Sequence, residues 1–118
     1  MQPKRAARAY SLPSEEAVQA LHRTELELQD LEQTVVDVMT QFDVKSLTPG
    51  QARTALSTVE ARAQKLEVEG IDNVYTGELN SGKAQAKSDK KDLLKRLEDL
   101  YSVLEKSFRE IKVAETAA

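Results

Sequence analysis

Apolar residues recur along most of this chain at helical spacing. Leu21, Leu28, Val35 and Phe42 repeat every seven residues, and Ala17, Thr24, Leu31 and Val38 form a second row beside them. The two rows make a 4–3 seam with one polar interruption, Thr24. Leu26, Val36 and Met39 are expected to widen the seam beyond a two-stranded stripe, so this helix should pack on more than one neighbour. A second pattern runs through Ala52, Leu56, Val59, Ala63 and Leu66. It is poor in bulk and should let other helices approach closely. A third runs through Leu93, Leu97, Leu100, Leu104, Phe108 and Ile111, flanked by Leu94, Tyr101 and Val103.

Local signals set the expected ends. Residues 1–13 read as a basic flexible tail closed by Ser11-Leu12-Pro13. Ser14 then caps a helix whose first turn holds Glu15 and Glu16, where the helix dipole favours acids. After a short connection, Thr48 caps the second helix. Pro49 takes its first position and Gln51 stands three after the cap, which is a capping box. Gly70 ends or loosens this helix, although Ile71 and Val74 could extend it by a turn. Residues 70–82 form a connector holding three of the four glycines. The pattern therefore predicts helices near 14–43, 49–69 and 83–112, with 113–118 as a C-terminal tail. Three amphipathic helices joined this way cannot bury their stripes alone. The expected fold is all-α, an antiparallel three-helix bundle over residues 14–112. Its core should contain Leu28, Leu31, Val35, Val59, Leu66, Leu97, Leu100 and Leu104. Self-association through the heptad seam of helix one is the rival arrangement.

Composition narrows the chemistry. With 118 residues the chain suits one domain, and it has no Cys and a single His. Disulfides, thiolate zinc sites, cysteine nucleophiles and multi-histidine metal sites are thereby excluded. No apolar run approaches the roughly 20 residues that span a bilayer, and no apolar h-region follows the basic N-terminus. A cytoplasmic chain is expected, with a nuclear location also open. Net charge is −3, but it is unevenly spread. Residues 1–10 carry Lys4, Arg5 and Arg8 without an acid, and residues 83–96 carry six cations against Asp89 and Asp92. A basic segment thus sits on an acidic body, a charge distribution that can steer a protein partner. Nucleic acid is not expected as a ligand, because no aromatic interleaves with the cations for base stacking.

Candidate sites are few. Gly77-Glu78-Leu79-Asn80-Ser81-Gly82-Lys83-Ala84 nearly matches a phosphate-binding loop. Ala84 cannot hold Mg²⁺, however, and no apolar strand precedes the run, so it reads as a turn into helix three. His22 reads as an edge or surface histidine. Glu25, Glu27, Asp30 and Glu32 read as a solvated face. No catalytic constellation, metal set or cofactor site emerges, and the chain is expected not to be an enzyme. The basic run 83–96 is either a solvated face, helped by an Asp92–Arg96 pair at i,i+4, or a docking surface for an acidic partner.

Residues 69–108 resemble the C-terminal half of a BAG domain. Ile71-Asp72-Asn73-Val74 is similar to the hydrophobic-Asp-x-hydrophobic step that ends helix two in that family. Lys90-Lys91-Asp92-Leu93-Leu94-Lys95-Arg96-Leu97-Glu98-Asp99-Leu100 is similar to its basic pair and following stripe. The resemblance implies a three-helix bundle that binds the ATPase domain of a seventy-kilodalton heat-shock chaperone and promotes nucleotide exchange. Together with the basic run, it gives an expected partner-binding set of Glu60, Asp72, Lys87, Lys90, Lys91, Lys95 and Glu98, and no cofactor and a monomer are expected. The family acid falls on Asp72, its arginine on Lys90 and its glutamine on Glu98. The family's helix-two glutamate falls on Arg62, and Glu60 serves instead if Gly70 marks a shift of register. Lys90 lacks the bidentate fork of arginine, and Glu98 cannot donate the amide protons of glutamine. The alternative is a structural helical adaptor or coiled-coil dimerisation module with no exchange role.

Overall fold

A computed structural model describes residues 2–72 and 83–117, with side chains at 16–71 and 87–117. The chain forms α1 (Gln2–Asp43), α2 (Pro49–Lys65) continued by a π-helical segment (Leu66–Asp72), and α3 (Lys83–Ala117). All three helices pack on one another. Cross-helix pairs give their directions. Asp30 meets Arg62, while Arg53 meets Glu115 and Glu67 meets Tyr101, so α2 runs antiparallel to both neighbours. Arg96 meets Glu25 and Glu32, and the bundle runs up, down and up. It is an elongated rod of 71 × 20 × 16 Å.

The heptad rows become the core. Ala17, Leu21, Thr24, Leu28, Leu31, Val35 and Val38 of α1 are buried, and Phe42 packs on them from the edge. All eight core residues expected from the sequence are buried, with Leu28 fully enclosed at 0% exposure. Ala52 and Ala63 are also fully enclosed, so α2 presents a low-bulk face to its neighbours. Two side-chain placements differ from the sequence expectation. Leu26 and Val36 do not widen the seam. They stand 53% and 57% exposed, because they lie outside the two 4–3 rows. On α3 the row continues through buried Ser107, which keeps the 4–3 spacing between Leu104 and Ile111. Phe108, one position on, is only half buried at its margin.

The termini also differ. The backbone of residues 2–13 is helical and continuous with α1. Ala6, Ala7, Arg8 and Ala9 are strong helix formers, whereas Pro13 both withholds a backbone donor and crowds the carbonyl four residues before it. At the other end, residues 113–117 continue α3 instead of forming a tail. Glu115 pairs with Arg53 of α2, which ties this last turn to the bundle.

The α1–α2 connection ends one helix and starts the next. The Ser46 amide donates to the Gln41 carbonyl at 2.8 Å and the Lys45 amide to the Phe42 carbonyl at 3.0 Å, the pattern of a Schellman cap. Lys45 occupies its left-handed position at φ 64°. Glycine takes that conformation without a Cβ penalty, so Lys45→Gly is expected to stabilise the fold by about 0.5–1 kcal/mol. Urea titration of the variant checks this. Thr48 then caps α2 as expected. Its Oγ1 accepts from the Gln51 amide at 3.1 Å, and the Gln51 side chain accepts from the Thr48 amide at 3.0 Å.

Helix two extends past Gly70, in an unexpected geometry. Alpha periodicity would carry the seam from Leu66 to Gly70. The π segment inserts one residue, and Ile71 becomes the fully enclosed position. Thr24, the polar break in the α1 seam, stands opposite. Its hydroxyl lies 3.0 Å from both the Gly70 and Ala20 carbonyls, which share its one proton.

Candidate partner-binding face

Helix α3 gathers most of the expected binding residues. Lys87, Lys90, Lys91, Leu94, Lys95 and Glu98 line one open groove along it. The helical repeat explains the sorting within this group. Lys87, Lys91 and Lys95 succeed one another at i,i+4 and are exposed, as is Glu98. Lys90 and Leu94, also i,i+4, form a neighbouring half-buried row. Among the described residues, Lys87, Lys91 and Lys95 have no ion-pair partner. The result is a row of three cations about 6 Å apart along the helix.

The remaining two expected residues stand elsewhere. Glu60 is half buried on α2 and lines a different groove, between α2 and α3, with Gln64, Glu67, Tyr101 and Phe108. Tyr101 donates to Glu67 at 3.0 Å across that groove. Asp72 is the last residue of the π segment, and its side chain lies outside the described part of the structure. Asn73, Val74 and the glycine-bearing run from Gly77 to Gly82 also lie outside it. The π segment inserts one residue between Glu60 and Asp72, one fewer than the two positions that separate Glu60 from Arg62.

Arg96 separates from the lysines. The sequence suggests an Asp92–Arg96 pair, but the guanidinium reaches across to α1. Its Nη2 donates to Glu32 at 2.6 Å, and its Nη1 lies 3.7 Å from Glu25. Glu25 and Glu32, seven residues apart, flank the α1 seam and bracket this single cation. The acidic face of α1 is therefore only partly a solvated one, since Asp30 also faces Arg62 at 3.4 Å. The recoverable signal was the i,i+7 spacing of two acids beside a heptad row, opposite a cation beside the α3 row. All these groups are partly exposed, so solvent screens them. Arg96→Ala is expected to cost about 1 kcal/mol at low salt and less at high salt. Denaturant titrations at two ionic strengths measure the difference.

His22 is exposed, as expected, at the rim of an α1–α3 groove with Glu25, Asp89, Asp92 and Arg96. Among the described residues, no group of His, Asp or Glu could hold a metal ion, and no helix is long and apolar enough to cross a membrane. Comparison with protein-family models, curated proteins and solved structures finds no match to the chain.

Proposed function

We propose that the chain is a BAG-like co-chaperone domain that binds the ATPase domain of a seventy-kilodalton heat-shock chaperone and promotes nucleotide exchange. One observation carries the reading. The Ile71-Asp72 step closes the extended helix two of a three-helix bundle, and the basic pair and stripe from Lys90 to Leu100 lie on helix three beside it. The three-lysine row of α3 gives an acidic partner surface an electrostatic handle. In this reading α2 and α3 grip the nucleotide-binding lobes and favour the opened cleft. A protein that prefers the open state shifts the population toward it and lowers the affinity for ADP by linkage. No bond is made or broken by this chain.

The adaptor alternative uses the α1 seam to pair with another helix. That seam is already filled by α2 and α3, with Leu28 and Leu31 enclosed inside one chain. A helix docking there would have to displace the bundle's own core. The two readings separate in a pull-down with a chaperone ATPase domain, with and without ADP. The exchange-factor reading expects capture that ADP weakens. Absence of capture in both conditions counts against it. Sedimentation then decides the adaptor reading, which expects a concentration-dependent dimer where the closed bundle expects a monomer.

A further inference from the structure

The second helix ends in a π segment, a rare geometry that costs regular hydrogen bonding and is found mostly where a function or a contact holds it. Here the contact is visible. Thr24 is 5% exposed and interrupts an otherwise apolar row. Its hydroxyl lies 3.0 Å from the Gly70 carbonyl across the interface and 3.0 Å from the Ala20 carbonyl of its own helix, and its one proton is shared between them. A Cβ on Gly70 would lie 2.8 Å from that hydroxyl oxygen and 3.1 Å from Leu66 Cδ1. The glycine is thus required by close approach. Thr24 and Gly70 fit only as a pair, one supplying the donor and the other the bare backbone that lets it in.

The consequence is angular. Successive residues of an α-helix are about 100° apart, so one inserted residue turns everything after it by about that angle. The insertion takes Gly70 off the seam and puts Ile71 on it, at 0% exposure. It turns the backbone at Asp72 by the same angle relative to α2.

We infer that Thr24 is a positioning residue whose hydroxyl, seated on the Gly70 carbonyl, holds the end of helix two in its π register and so sets the angle at which the backbone at Asp72 leaves helix two. The register lock stands on the contact itself. Its role in docking rests on the proposed chaperone binding.

The test is amide hydrogen exchange together with binding of the chaperone ATPase domain, on the full chain. Thr24→Val keeps the shape and removes the donor. Exchange across 66–72 is expected to rise about tenfold, while amides around Leu97–Leu104 keep their protection. Binding is expected to weaken about tenfold or more in the same variant. Thr24→Ser restores the hydroxyl and should recover both properties. Gly70→Ala, which forces the helices apart from the other side, should reproduce the Thr24→Val pattern. Unchanged exchange at 66–72 in Thr24→Val would overturn the register lock, whatever the partner does. A uniform rise over all helices, without recovery by serine, would also overturn it and leave Thr24 an ordinary packing residue. Local loosening with unchanged partner binding would overturn the docking role alone. If the unaltered chain does not bind the ATPase domain, the docking role falls with the proposed function, and the exchange result still decides the lock.

Discussion

A Leu97→Ala chain is expected to lose about 2–5 kcal/mol of folding stability, the range for removing a large buried aliphatic side chain and leaving a cavity. Leu97 is 1% exposed and lies in the α3 row between Leu93 and Leu104, where it belongs to the single core that all three helices share. The chain has no disulfide to limit the loss. Two Phe, three Tyr and no Trp leave that core almost wholly aliphatic, and no large aromatic stands ready to fill the gap. Urea unfolding followed by circular dichroism measures the change. Val103→Ala, on the same helix but 46% exposed, is the control and should change stability by no more than about 0.5 kcal/mol. Equal effects of the two variants would mean that the α3 stripe does not face the core.

The second large effect concerns the partner. Replacing Asp72 and Lys90 together by alanine is expected to weaken chaperone ATPase-domain binding at least about thirtyfold. Truncating one member of a desolvated charge pair costs about 2–5 kcal/mol, and each 1.4 kcal/mol is tenfold. Helical content should persist, because neither residue belongs to an apolar row of the bundle. Titration calorimetry gives the affinity, and circular dichroism on the same samples reports the helix. Lys91→Ala is a useful contrast. It lies on the exposed row with Lys87 and Lys95, so it should mainly change the association rate and its salt dependence. A double variant that binds as tightly as the unaltered chain would place the contact elsewhere on the bundle.

The helices were legible because burial obeys periodicity. The rows from Ala17 to Val38 and from Ala52 to Leu66 needed no tertiary information. The capping box at Thr48 needed only four residues of sequence. What was not legible has particular causes. Residues 2–13 and 113–117 are helical because local propensity, with the Arg53–Glu115 contact at the far end, outweighs Pro3, Pro13 and the usual fraying. Ser107 takes the place expected for Phe108 because position within the 4–3 row counted for more than hydrophobicity at the edge. The π segment could not be read from α2 alone, since the residue that holds Gly70 is Thr24 on another helix. The same limit applies to the binding face. Lys87, Lys90, Lys91, Lys95 and Glu98 lie within about three turns of one helix, so their common groove follows from helical geometry. Glu60 stands apart because the α2–α3 packing assigns it to another groove, beside Tyr101 and Phe108. Arg96 was misassigned to Asp92 because its acids come from α1, far away in sequence.

The proposed exchange activity is tested most directly by release of a fluorescent ADP analogue from the chaperone ATPase domain, followed by stopped flow with this chain in excess. If the chain binds the opened cleft in preference to the closed one, the release rate rises with its concentration and saturates, and the Asp72→Ala/Lys90→Ala variant loses the acceleration. A release rate that stays at its intrinsic value while the chain is demonstrably bound would contradict exchange activity and leave this face a docking surface alone.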